Sequence, residues 1–439
     1  MIETVAVALL CLALVDLLVG RSLLYPPTLF CLAWSGNLLL LASLGDAYFA
    51  IADETVLLFF AGAVAMSLGG AAELLLESAP GRPSRVPPRD APGRVASVER
   101  MLDLGFLAIV LALPLRMLRL RHLAGGTIDL GSPAFWVSVR QASIVESNQS
   151  AVSWLTLTDN VVLFALFLAL AAVAHDVARR RFRLRTVLIV LLALLYQVST
   201  ASRASGTTLV CGIVGIAALA RGRWSVRSLA FGAAAIVATF SFAAVLMGKG
   251  GQMDAGLLDN VFGVARAALL YLVGPTVALD RALADPSGVP AVWSVTYSVA
   301  QVANKLGAGI ELPSIHAVFS HVGTGLWMNA YTMYFAYVPD LGVTGALVLL
   351  FALGMALTWL FRRAEAGSPH ARLLYATMLS GLVMSGFGEY FFMNLSFYVK
   401  AALFCLVLYG LPPLAAVPAA ARAAGVQRRG AARRLASAE

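Results

Sequence analysis

The chain is built from apolar runs about one bilayer long, separated by short stretches rich in arginine. With 60% hydrophobic and 13% charged residues, it carries roughly half the charge of a water-soluble domain. Eleven runs reach roughly the 20 residues that a helix needs to cross the hydrocarbon core: 3–20, 24–44, 55–76, 101–119, 158–177, 186–200, 207–220, 228–247, 341–361, 373–391 and 397–417. The pattern predicts an all-α polytopic membrane protein, with residues 1–439 forming one integral membrane domain. The run from Val5 to Val19 lacks a basic leading region and reads as a retained first span, not a cleaved signal.

The distribution of charge sets an expected orientation. A net charge of +9 would suggest nucleic acid in a soluble protein, but the positive-inside rule accounts for it better, and no nucleic-acid partner is expected. With the amino terminus outside, the cytoplasm receives Arg21, the basic loop 78–100 (Arg82, Arg85, Arg89, Arg94, Arg100) and "RRRFRLR" at 179–185. It also receives "RGRWSVR" at 221–227, "FRRAEAGSPHAR" at 361–372 and the basic tail 418–439. The opposite orientation would place all of these on the translocated side. Eleven spans then put the carboxyl terminus inside. Two outer loops are long, 120–157 and 248–340. The second contains "LLDNVFGVARAALLYLVGPTVALDRALADP", whose apolar residues recur at helical spacing. Amphipathic helices lying on the membrane surface, or folding back into it, are expected there.

Chemistry has few carriers. Cys11, Cys31, Cys211 and Cys405 fall inside apolar runs without metal-ligand spacing, and "MGKGG" at 247–251 lacks the spacing of a phosphate loop. The outer arginines Arg140, Arg203 and Arg266 offer planar forks suited to phosphate. Arg203, in "STASRASGTTL", sits at a tight turn between two spans; it either faces a wet cavity or partner, or snorkels to headgroups. Arg116, Arg119 and Arg121 read as headgroup contacts. His316 and His321, five residues apart, do not make a zinc pattern; each is either a solvated or capping residue or a proton acceptor. Glu389, beside Tyr390, is either a general base or the counter-ion of Arg203 or Arg266. Asn329, Tyr331, Tyr334, Tyr337 and Asp340 crowd the start of the span 341–361, with the tyrosines at spacing three.

Several stretches resemble the bacterial oligosaccharide repeat-unit (O-antigen, Wzy-type) polymerases. They are "DAYFAIADETVLLFFAGAVAMSLGG", the turn "SRASGTTL", "LLYLVGPTVAL", the block "NAYTMYFAYVPDLGVTGALVLLFALGMALTWLFRR" and "GEYFFMNLSFYV". The resemblance implies a GT-C-like glycosyltransferase of the inner membrane with a large periplasmic loop. Such an enzyme moves a growing glycan from its undecaprenyl diphosphate carrier to another lipid-linked repeat unit, without metal, cofactor or nucleotide sugar. Membrane lipids and a chain-length regulator protein are the other partners it implies. Arg203 is carried over as the arginine of the outer turn, with Arg140 and Arg266 as further diphosphate ligands. His316, His321 and Glu389 become candidate bases. Asn329, Trp327, Tyr331, Tyr334, Tyr337 and Tyr390 become a sugar platform; an aromatic belt is the other reading of the tyrosines. Two alternatives stay open: an O-antigen ligase-like enzyme, and a transporter or flippase of lipid-linked substrates. Mid-span charges are few (Asp16, Glu73, Asp103), which favours surface chemistry over a transport path.

Overall fold

The computed structural model describes residues 1–78, 92–147, 157–201, 203–221, 232, 234–236, 238, 239, 257–285, 295–310 and 319–410. The first half of the chain gives α1 (Ile2–Gly20), α2 (Pro26–Ser43), α3 (Asp53–Ser78), α4 (Pro92–Leu111), α5 (Leu113–Leu123), α6 (Pro133–Ser147), α7 (Leu157–Ala178), α8 (Leu184–Val198) and α9 (Arg203–Arg221). After them come α10 (Leu257–Ala284), α11 (Tyr297–Lys305), a hairpin of β1 (Ser320–Gly323) and β2 (Leu326–Met328), α12 (Met333–Glu365), α13 (Pro369–Val383) and α14 (Leu395–Tyr409). Seven segments among the described residues are long and apolar enough to cross a membrane: 2–20, 53–78, 95–123, 157–178, 204–221, 265–284 and 333–365.

The count differs from the eleven expected, for local reasons. The predicted spans at 186–200, 373–391 and 397–417 appear as helices of 15 described residues. At 1.5 Å per residue each covers about 22 Å, short of the roughly 30 Å core. The expected span 24–44 is the 18-residue α2, which is not among the seven, and the expected span 228–247 lies largely outside the described residues. The span 101–119 extends further in both directions but breaks at Ala112, where Pro114 removes a backbone donor from the first turn of α5. The segment 265–284, expected in the outer loop, is itself apolar enough to span.

Beside two smaller clusters, side-chain packing gives the bundle two main cores. One is built from α1, α2, α3, α10, the hairpin and α12; the other from α4, α7, α8, α9, α13 and α14. Residues 165–173 of α7 are buried all round, as a central helix requires. Glycine lets α3 and α12 meet main chain to main chain. A Cβ on Gly69 would stand 2.0 Å from the Phe351 carbonyl oxygen, and one on Gly354 would stand 2.3 Å from that of Met66. Small residues at such crossings are a membrane-bundle device, because close packing replaces the missing hydrophobic drive.

One end of the bundle, called the upper end here, gathers the loop 44–52, α10, α11, the hairpin and the segment 384–394. Four contacts tie these pieces together. Phe49 N–H donates to the Val322 carbonyl at 3.0 Å, and Met333 N–H to that of Ser385 at 2.9 Å. Asp280 accepts from Ala52 N–H at 2.9 Å and from the Thr55 hydroxyl at 2.6 Å, capping the start of α3. Ser298 donates toward the carbonyls of Phe392 and Met393, both at 3.0 Å. The opposite end carries Arg21, Arg362, Arg363 and the turn joining α7 to α8. There Glu99 accepts from His175, Arg179 and Arg183, and Arg185 pairs with Asp103 at 2.6 Å. The Glu99 carboxylate holds the Arg183 guanidinium above its usual range.

Candidate functional site

The loop 44–48, α10 and β2 enclose a pocket of about 320 Å³ at the upper end. Its walls include Leu44, Ala47, Leu270 and Leu326, and its main charged group is Arg266, near Tyr48. Burial pushes the Tyr48 phenol up, and the positive charge of Arg266 pulls it back. No ion pair to Arg266 forms among the described residues. An unpaired guanidinium set among aliphatic walls suits a ligand that joins an anionic group to an apolar body.

Arg140, on α6, is half-buried and likewise makes no ion pair among the described residues. Burial lowers its pKa, while Tyr390 and Tyr271 nearby favour its charged form. The Tyr390 phenol is pushed up to about 12 by burial, against the pull of Arg140. Tyr271 and Arg266 are five residues apart on α10, hence about 140° apart around its axis. The lining of the pocket at Arg266 does not include Arg140. Arg203 opens α9 after the turn at 199–201, as the sequence suggested, but its side chain lies outside the described residues, as does His316.

The three tyrosines are not on display. Tyr334 and Tyr337 are fully buried and Tyr331 nearly so. Tyr331 stacks on Phe335 and shares a 2.9 Å hydrogen bond with Ser320. Tyr334 packs against Trp34 and Phe59. Tyr337 donates to Glu389 Oε1 at 2.8 Å. Their hydroxyls are spent inside the protein and their ring faces are covered. Asn329 sits half-buried in the link between hairpin and α12, and Asp340 lies at a break in α12, where Gly342 adopts φ +67°.

Glu389 is the hub of the segment 384–394, with a role neither sequence reading anticipated. Beside the Tyr337 phenol it accepts the N–H groups of Phe391 at 2.6 Å, Phe392 at 2.9 Å and Met393 at 2.7 Å. Burial raises its pKa above the ordinary 4.5, and the three N–H groups and the phenol pull against that shift. It forms no ion pair with a described arginine, so it caps a turn and is not the counter-ion of Arg266. Two of the three arginines of α5 also differ from expectation, while Arg121 is exposed. Arg116 and Arg119 are 3% and 2% exposed, so they do not reach headgroups. Arg116 pairs with Asp159 at 2.6 Å and donates to the Ser199 hydroxyl and carbonyl; Arg119 reaches Asp159 at 3.4 Å.

What the upper end does expose is a second aromatic group. His321 and Trp327 face each other across the hairpin and stack at 4.8 Å, and Trp327 is 59% exposed. Phe49 meets His321 edge-on at 5.1 Å, and Arg281 lies over the Phe49 ring at 4.7 Å. Tyr48 and Leu326 line the pocket; their chain neighbours Phe49 and Trp327 face this platform. Pocket and platform thus lie on two sides of one scaffold, as extended chain directs alternate side chains to opposite faces. Phe49, Arg281 and Tyr48 carried no local signal, because their partners lie more than 200 residues away in the chain. Comparison with protein families, with characterised proteins and with solved structures finds no match for this chain.

Proposed function

We propose that the chain is a membrane-embedded glycosyltransferase of the bacterial inner membrane, its upper end facing the periplasm, that polymerises undecaprenyl-diphosphate-linked oligosaccharide units. The observation that carries this reading is Arg266, unpaired among the described residues in a pocket whose other walls are aliphatic apart from Gly263 and Tyr48. A lipid diphosphate has the matching chemistry, an anion at the head of a hydrocarbon chain. In the transfer, an acceptor hydroxyl oxygen bonds to the anomeric carbon of the donor sugar while the bond from that carbon to phosphate breaks. Negative charge grows on the departing diphosphate, and a guanidinium placed there stabilises it. The acceptor proton goes to a base. His321 is exposed and its side chain makes no hydrogen bond with the described residues, but it stands on the platform across the scaffold from Arg266, so the base is not drawn from it. Glu389 serves as the turn's cap. A sugar of the acceptor glycan remote from the reacting end rests on Trp327, in place of the buried tyrosines.

The test is Arg266→Ala in purified protein supplied with synthetic lipid-diphosphate repeat units. Chain lengthening drops by about 10²–10³-fold, the usual cost of removing one donor from a developing anion. Arg266 is exposed, so the thermal midpoint stays put. Polymer of normal length and rate from this variant overturns the reading.

A further inference from the structure

We infer that the platform of Trp327, His321, Phe49 and Arg281 is a subsite for an acidic sugar, a pyranose bearing a carboxylate, presented by the acceptor glycan. The inference rests on the glycosyl-transfer reading of the same end. Trp327 stands on a paired strand with His321 stacked on one side, which leaves indole surface open for the apolar face of a sugar ring. Arg281 supplies the anion preference. It is exposed, it is held over Phe49, and no carboxylate of the described residues pairs with it. The adjacent Asp280 is not available, because Ala52 N–H and the Thr55 hydroxyl occupy its carboxylate. Stacking on Phe49 orients the guanidinium plane and leaves its edge donors to a ligand. An aromatic face beside an uncommitted arginine matches a uronate better than a neutral sugar, which would leave the cation unanswered.

The experiment uses the full chain in detergent and in nanodiscs. Three probes are titrated by calorimetry and by tryptophan fluorescence: an oligogalacturonate, its methyl ester, and inorganic pyrophosphate as a plain anion. The oligogalacturonate binds at least about tenfold tighter than the ester, the discrimination of one charge-assisted hydrogen bond. Arg281→Gln abolishes that difference and leaves the weaker ester binding, while Trp327→Ala removes both. Equal binding of acid and ester, or an unchanged preference in Arg281→Gln, overturns the inference. So does quenching of Trp327 by brominated lipid with no response to either saccharide, which assigns the ring to the bilayer surface. The two proposals fail separately. Normal lengthening by Arg266→Ala with the acid preference intact removes the polymerase and leaves a saccharide-binding face. Lost lengthening without any acid preference does the reverse.

Discussion

Glu389 is where residue chemistry and local fold are most tightly joined. Its carboxylate gathers three consecutive N–H groups and a phenol, so the turn before α14 depends on one side chain. Because burial raises its pKa, the group binds a proton more tightly in the folded state than in the unfolded chain. Its contribution to stability is therefore fully present below the unfolded value and is lost as pH rises through the folded one. Glu389→Gln removes that titration. The thermal midpoint of the wild type, measured against this variant, should fall as pH is raised from about 4 toward neutrality; a gap that widens instead contradicts the shift. At this scale the sequence was legible in part. Trp327 and His321 stood out as polar-tipped rings beside a span and do sit on the surface. Tyr334 and Tyr337 share one side of α12, with Tyr331 just ahead of it, but nothing local says that side faces inward.

Among the elements, α10 is braced by a helix more than 200 residues earlier in the chain. Pro275 lies inside α10, and Asn37 of α2 braces the turn around that proline: its amide donates to the Leu272 carbonyl at 2.5 Å and accepts from the Thr276 hydroxyl at 2.8 Å. Asn37→Leu strands both groups in a buried site, and we expect it to lower stability by about 2–4 kcal/mol, read as a fall in unfolding midpoint. The crossing of α3 and α12 is as demanding. Gly354→Ala drives a methyl into the Met66 carbonyl and should cost about 1–3 kcal/mol by the same measurement, whereas Gly36→Ala, with open space around it, should not. Helix identities could be read from apolar periodicity. The brace beside Pro275 could not, since Asn37 lies 235 residues from Leu272.

For the molecule as a whole, the contacts sort chain segments into two ends without saying which side of a membrane each faces. The charge distribution supplies that expectation, and it is testable. In a background with the four cysteines replaced, Thr324→Cys should react with an impermeant maleimide added outside right-side-out vesicles, and Ala366→Cys only after lysis. The reverse pattern inverts the topology. Hydropathy revealed the class of fold early because lipid imposes length and composition on every crossing. Pocket and platform stayed hidden because each joins the loop 44–49 to residues that lie beyond position 260. The glycine crossing of α3 and α12 has a mechanical corollary. Two backbones in direct touch have no cushion of rotamers between them and can neither slide nor hinge independently. On the proposed function, any movement that admits a bulky amphiphile to Arg266 therefore falls to the pocket's own walls, such as Leu44, Tyr48 and Leu326, and not to that crossing.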